Sequence, residues 1–173
     1  SGLPNLLRHL ENLSKFNLPT VVAINKFPTD TQNEIDTVIK VCSENNVNAI
    51  LCEHWAKGGE GAAALAKEVV KIIDSNDKKF NFLYSEDDSI KVKIETICKE
   101  IYRAENVTFS PPAEKKLLEI EKLGFGHFPV CMAKTQYSFS TDANNKCAPL
   151  NHTVPIREIR LSETYLSRQL LVN

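Results

Sequence analysis

The only tryptophan of the chain, Trp55, sits in HWAKGGEG, residues 54–61, together with Lys57, three glycines and Glu60. An alanine-rich run follows. A glycine-rich turn opening onto a helix often cradles phosphate, because unsatisfied backbone N–H groups converge there. The order of residues argues against that use here. A Walker loop reads G-x-x-x-x-G-K-[ST], with the lysine after the glycines and a hydroxyl for magnesium. In this stretch Lys57 precedes Gly58 and Gly59, and Glu60 would repel a phosphate. The Walker pattern occurs nowhere in the 173 residues. A second stretch, NKFPTDT, residues 25–31, places Phe27 against Pro28. Two aromatic rings raised on neighbouring loops can grip a flat heterocycle by stacking, worth roughly 0.5–1.5 kcal/mol per aromatic pair beyond area burial.

Each of these residues also has a plainer use. A lone tryptophan is often core, and a phenylalanine before proline can plug the end of a sheet. Asn25 can hold the two loops together by hydrogen bonds. Lys26 and Lys57 can be solvated, although Lys57 could reach a carboxylate on a ligand. His54 could relay a proton or be a satisfied structural histidine, and Glu53 beside it gives a weaker signal still. Lys134, Gln136 and Tyr137 follow a strand pattern and could line a cleft. The acidic run SEDDS, residues 85–89, reads as a solvated helix cap. No residue is assigned a catalytic role, and no metal ligand set is found.

The elements that must position these loops are legible in the hydrophobic pattern. Leu6, Leu10 and Leu13, with Leu7 beside them, predict an amphipathic helix over 5–16. TVVAIN, residues 20–25, is a β-branched run without alternation, as suits a parallel strand covered on both faces. Thr31 and Glu34 form a capping box before Ile35, Val38, Ile39 and Cys42 at helical spacing. A second strand is expected over 48–54, then the glycine turn, then a helix over 62–73. Helices alternating with strands imply parallel strands with helical crossovers, whose ligands sit beyond the strands' carboxyl ends. The two loops above leave those ends. The polar linker DSNDKKF, residues 74–80, marks a change of subdomain, giving units of 1–79 and 80–173. In the second unit, Ile90, Ile94, Ile97 and Ile101 predict a helix capped by Asp88 or Ser89. Ser110-Pro111 opens another, with Leu117, Ile120 and Leu123 on its apolar face and Gly124 closing it. Strands are expected at 130–133 and 153–161.

Composition sets limits. The chain has 21 basic and 22 acidic residues, for a net charge of −1. That leaves no electrostatic footprint for nucleic acid or an anionic membrane. Five cysteines without a CxxC pair read as reduced thiols of the cytosol or an organelle matrix. The four histidines lack ligand spacing for structural zinc. No apolar run approaches a membrane span, and no signal peptide opens the chain. A helical pattern beginning almost at once, without methionine, looks like part of something longer.

Read together, the two loops resemble the base-holding loops of P-loop GTPases, N-K-x-D and then S-A-K-x-G-x-G. Pro28 stands where the aspartate would accept guanine's N–H groups, so guanine preference is not expected. The whole chain more specifically resembles formate–tetrahydrofolate ligase, in its carboxyl-terminal part. The likeness is carried by GLPNLLRHLENLSKF, VVAINKFPTDT, EHWAKGGEGA, FLYSEDDSIKVKIETICKEIY, GFGHFPVCMAKTQYS and VPIREIRLS, covering roughly residues 2–162.

The resemblance implies a partial P-loop NTPase-like α/β fold, the second half of a nucleotide- and folate-binding domain, followed by a smaller mixed α/β subdomain. It implies a cytoplasmic or mitochondrial enzyme of one-carbon metabolism, in which ATP activates formate as formyl phosphate and tetrahydrofolate takes the formyl group. Magnesium and a monovalent cation such as potassium accompany the reaction. Phe27, Pro28 and Trp55 match positions that hold the pterin or adenine ring, with Asn25, Lys57, Gly58 and Gly59 supporting the loops. The family's phosphate loop lies in its amino-terminal half, so these residues alone are expected to be inactive. The tail ETYLSRQLLVN, residues 163–173, departs from the family pattern. Two other readings remain: the carboxyl half of another P-loop NTPase, or a non-catalytic splice or paralogue module that binds other proteins. Self-association is expected, through an unpaired sheet edge.

Overall fold

A computed structural model describes residues 2–133, 137–163 and 168–172. The described chain is mixed α/β and divides into two compact units, one of His9–Asn81 and one made up of Gly2–Arg8 together with Phe82–Asn173.

The first unit carries the two loops. Helix α1, Leu3–Lys15, leads into strand β1, Val21–Asn25, then helix α2, Gln32–Glu44, and strand β2, Asn48–Cys52. β1 and β2 pair in parallel, with Asn25 opposite Cys52, as the crossover order predicts. The capping box forms: the Thr31 hydroxyl accepts from the Glu34 N–H and the Glu34 carboxylate accepts from the Thr31 N–H. Ile35 and Cys42, two turns apart, are the buried residues of α2. The expected glycine turn is instead helical. One turn of α-helix, α3 (His54–Lys57), runs into a 3₁₀ segment, Gly58–Ala62, and then helix α4, Ala63–Ser75.

Two expectations for this unit are corrected. On α1 the residues most removed from solvent are Leu10, Arg8 and Asn12, whereas Leu13 is exposed. Leu10 of the leucine stripe is buried as expected, Leu13 at its end is not, and the polar Arg8 and Asn12 are buried as well. Strand β1 is not covered on both faces: Ala23 and Asn25 are exposed. Among the described residues, β1 and β2 form a sheet of two strands only.

The second unit holds the larger core. Helix α5, Ile90–Glu100, is capped by Ser89, whose hydroxyl accepts from the Val92 N–H. It buries Ile90, Ile94 and Cys98, and with them Lys93. Strand β3, Ala104–Phe109, follows, then helix α6, Pro111–Lys122, capped by Ser110. Gly124 closes α6 at φ +85°, and the Phe125 N–H reaches back to the Ile120 carbonyl (3.1 Å), the Schellman arrangement. Leu123 is exposed, so Ala113, Leu117 and Ile120 form the inward face.

The remaining strands are β4 (Val130–Met132), β5 (His152–Ile156), β6 (Ile159–Glu163) and β7 (Arg168–Val172). β3 pairs with β5 in parallel, while β7 lies between β4 (parallel) and β6 (antiparallel). The single strand expected at 153–161 is therefore two strands in two sheets. The break falls at Arg157, whose carbonyl accepts from the Ser110 hydroxyl (2.8 Å). Ile90, Ile94, Leu117, Ile156, Ile159, Leu170 and Val172 all belong to one buried cluster.

Candidate functional site

The β1–β2 ladder continues one rung beyond its strands, through Lys26 N–H to Cys52 C=O (3.0 Å). The two chains then part. On the first, Phe27-Pro28-Thr29-Asp30 makes a tight turn. The Asp30 N–H donates to the Phe27 carbonyl (3.1 Å), and the Asp30 carboxylate accepts from the Phe27 N–H (2.8 Å). Pro28 presets φ at the second position of such a turn. Thr31 then caps α2. The whole NKFPTDT stretch is thus built to fix Phe27 between a strand and a helix.

On the second chain, the Glu53 N–H donates to the Gly61 carbonyl (3.0 Å), while the Glu53 carbonyl accepts from Ala56 (3.1 Å) and Lys57 (2.9 Å). The turn bearing Trp55 is therefore pinned at both ends. Gly58 has φ +57° and ψ −140°, a conformation in practice restricted to glycine. Gly59 faces open space. Gly61 is a different case, because a Cβ there would lie 2.5 Å from the Glu53 carbonyl carbon.

The structure brings Phe27 and Trp55 together. Their ring centroids are 6.5 Å apart with the planes inclined by 49°. Trp55 is 73% exposed and Phe27 44%, so neither ring is sealed in the core. Pro28, Asn25, Lys57, Gly58 and Gly59 are exposed around them. The tie between the loops is made by two residues the sequence did not single out for it. Lys26 Nζ lies 3.6 Å from Glu53 Oε1, and Lys57 Nζ donates to Glu53 Oε2. The bond from Lys57 holds the Glu53 carboxyl below its ordinary range, and the same bond raises Lys57. Lys57 is thus engaged within its own turn, and His54 is exposed.

Other sequence candidates fall elsewhere. Lys134 and Gln136 lie outside the described residues. In the second unit an apolar cleft is lined by Tyr102, Met132, Phe139, Ser140, Val154 and Val172, among others, and Tyr137 is not part of its lining. Asp88 accepts from the Ser85 N–H (2.9 Å), so SEDDS is an internally bonded turn before α5. None of the five cysteines is in a disulfide, and burial pushes the Cys98 thiol up to about 12. Among the described residues no three His, Cys, Asp or Glu side chains gather as a metal site. Among the described residues no helix is long and apolar enough to cross a membrane.

Comparison with known proteins gives a consistent family. A family model described as formate–tetrahydrofolate ligase matches residues 1–165. The formate–tetrahydrofolate ligase of Pelagibacter ubique is 51% identical over 161 residues, which is 93% of this chain and 29% of that protein. That of Ruegeria sp. strain TM1040 is 49% identical over 162 residues, 94% and 29% respectively. That of Granulibacter bethesdensis is 47% identical over 161 residues, 93% and 28%. The chain thus spans less than a third of the length of these curated relatives.

Proposed function

The chain belongs to the formate–tetrahydrofolate ligase family, and from that premise we propose that its first unit holds a flat ring, the pterin of tetrahydrofolate or the adenine of ATP, between Phe27 and Trp55. The activity it would serve is ATP-dependent ligation of formate to tetrahydrofolate through formyl phosphate, in the cytoplasm. The observation that carries the reading is the exposed aromatic pair on two loops leaving the carboxyl ends of parallel strands. Ligands of open parallel sheets bind at that end. Exposure of a tryptophan and a phenylalanine costs hydrophobic free energy that a stacked ligand would recover.

The proposal extends to a P-loop NTPase-like core, of which these two strands are a part. The 173 residues contain no Walker loop, so the chain by itself binds a ring and turns nothing over. Among the described residues no three His, Cys, Asp or Glu side chains gather, and neither magnesium nor the monovalent cation is assigned to a side chain. Self-association through the open edges of the β1–β2 sheet is part of the same proposal.

Fluorescence of the unique Trp55 tests the reading. Tetrahydrofolate or ATP is expected to quench it saturably after correction for ligand absorbance, and GTP is expected not to. Replacing Phe27 by alanine should weaken quenching about tenfold, since stacking of a heterocycle on an aromatic side chain is worth ~1–3 kcal/mol. Equal quenching by the Phe27→Ala chain would remove the ring pair from the site.

A further inference from the structure

We propose that Glu53 is the positioning residue of the ring site: its carboxylate, held between Lys26 of one loop and Lys57 of the other, sets the distance between Phe27 and Trp55. The inference rests on the ring-binding reading above and names what holds that site in register.

Three features of the geometry support it. Beyond the Lys26–Cys52 rung, no backbone hydrogen bond joins the Phe27 loop to the Trp55 turn among the described residues. The Lys26–Glu53 ion pair is the polar tie that remains, and it stands one residue before Phe27 and two before Trp55. The main chain of Glu53 is itself anchored through Gly61, Ala56 and Lys57, so its carboxylate starts from a fixed base.

The ring geometry shows what such a tie must accomplish. Inserting a planar ring between two others needs parallel faces about 7 Å apart, two van der Waals contacts of roughly 3.5 Å each. The observed centroid separation of 6.5 Å is close to that, whereas the 49° inclination is not. Binding therefore calls for rotation of the exposed Trp55 ring at nearly constant separation. A clasp from Glu53 to the neighbour of Phe27 keeps the separation and leaves the indole free to turn. Without it, two loops must be ordered at the moment of binding, a cost that appears directly as lost affinity.

The test uses the 173-residue chain with Glu53→Gln, read by Trp55 emission. The probe is 6-methyltetrahydropterin, whose lack of a glutamate tail keeps ligand carboxylates out of the salt comparison. The variant should bind about three- to tenfold more weakly, the range of two partly exposed ion pairs. Raising salt from about 20 mM to about 0.5 M should weaken the unmodified chain toward the variant and leave the variant unchanged. Lys26→Met combined with Glu53→Gln should lose less than the sum of the single losses. Far-UV circular dichroism and the thermal midpoint report folding, and Lys26→Met alone interrogates the same pair if Glu53→Gln fails to fold.

In the ligand-free chain, acrylamide should reach Trp55 more readily once the clasp is cut. Unchanged affinity, additive losses or unchanged acrylamide access would each overturn the proposal. Absence of pterin binding by the unmodified chain would instead overturn the ring-binding reading, and acrylamide access would still decide the clasp.

Discussion

Gly61 occupies a position where a methyl group has nowhere to go. The backbone of Glu53 and His54 crosses at 2.5–2.7 Å from the point a Cβ would occupy, and backbone cannot swing aside as a side chain can. Gly61→Ala should therefore displace the Trp55 turn and cost about 3 kcal/mol or more, the range of severe local clashes. Gly58→Ala should cost about 1–2 kcal/mol, because φ +57° burdens any residue with a Cβ. Gly59→Ala should lie within about 0.5 kcal/mol of the unmodified chain, since nothing lies within 4 Å of its Cβ position. Thermal unfolding of the three variants checks the ranking, and a destabilised Gly59→Ala or a neutral Gly61→Ala would contradict it. Two of the three glycines in the motif are thus required, Gly61 for lack of space and Gly58 for its backbone conformation. Gly58 and Gly59 both face open space at the surface.

Helix α5 owes its place to a lysine. Lys93 has no accessible surface, and its ammonium donates to the carbonyls of Glu86 (2.7 Å), Gly126 (3.0 Å) and Phe128 (3.4 Å), beside the Tyr84 ring. Burial lowers its pKa, while the acids at 88, 86 and 87 oppose that shift. Lys93→Met would fill the space but leave three carbonyls short of a donor. A loss of about 3 kcal/mol in chemical denaturation is expected, since each unsatisfied buried group costs ~1–3 kcal/mol. A similar loss, about 2–5 kcal/mol, is expected for Leu170→Ala, which empties the centre of the second core from strand β7.

Neither feature is legible in the sequence. Lys93 sits among lysines and isoleucines that read as an ordinary helix face, and two of its three carbonyl partners, Gly126 and Phe128, come from a loop 33 and 35 residues away. β7 lies in the tail that departs from the family pattern. β3 was missed for a local reason: a bulge between Ala104 and Asn106 shifts the register, so its apolar residues fall at 104, 107 and 109, out of strict alternation. By contrast α2, α5 and α6 announce themselves through Thr31, Ser89 and Ser110, because capping is written within three or four residues of chain. The ring site divides the same way. Phe27, Pro28 and Trp55 stand out as residue types at the ends of strands. The Glu53 clasp does not, because an acid beside a histidine gives no sign of which lysine will reach it.

For the molecule as a whole, binding and turnover should separate. Phosphoryl transfer depends on positioning and on neutralising charge about the γ-phosphate, work done in P-loop enzymes by a glycine-rich loop, its lysine and magnesium. The 173 residues hold no such loop, and Lys57, the one lysine beside the glycines of the ring site, is engaged by Glu53. Both rings of the proposed site are nevertheless exposed. The chain supplied with ATP, formate, magnesium, potassium and tetrahydrofolate should then show ligand-dependent quenching of Trp55. It should form no 10-formyltetrahydrofolate above the uncatalysed background. Product formation by the isolated chain would mean that its own residues neutralise the transferring phosphoryl group. Loss of both binding and turnover would mean that two rings held 6.5 Å apart are not a site until further surface is laid against them. The expected outcome lies between, because stacking is a property of two side chains and their spacing. Phosphoryl transfer requires an arrangement of charges that this stretch of sequence does not contain.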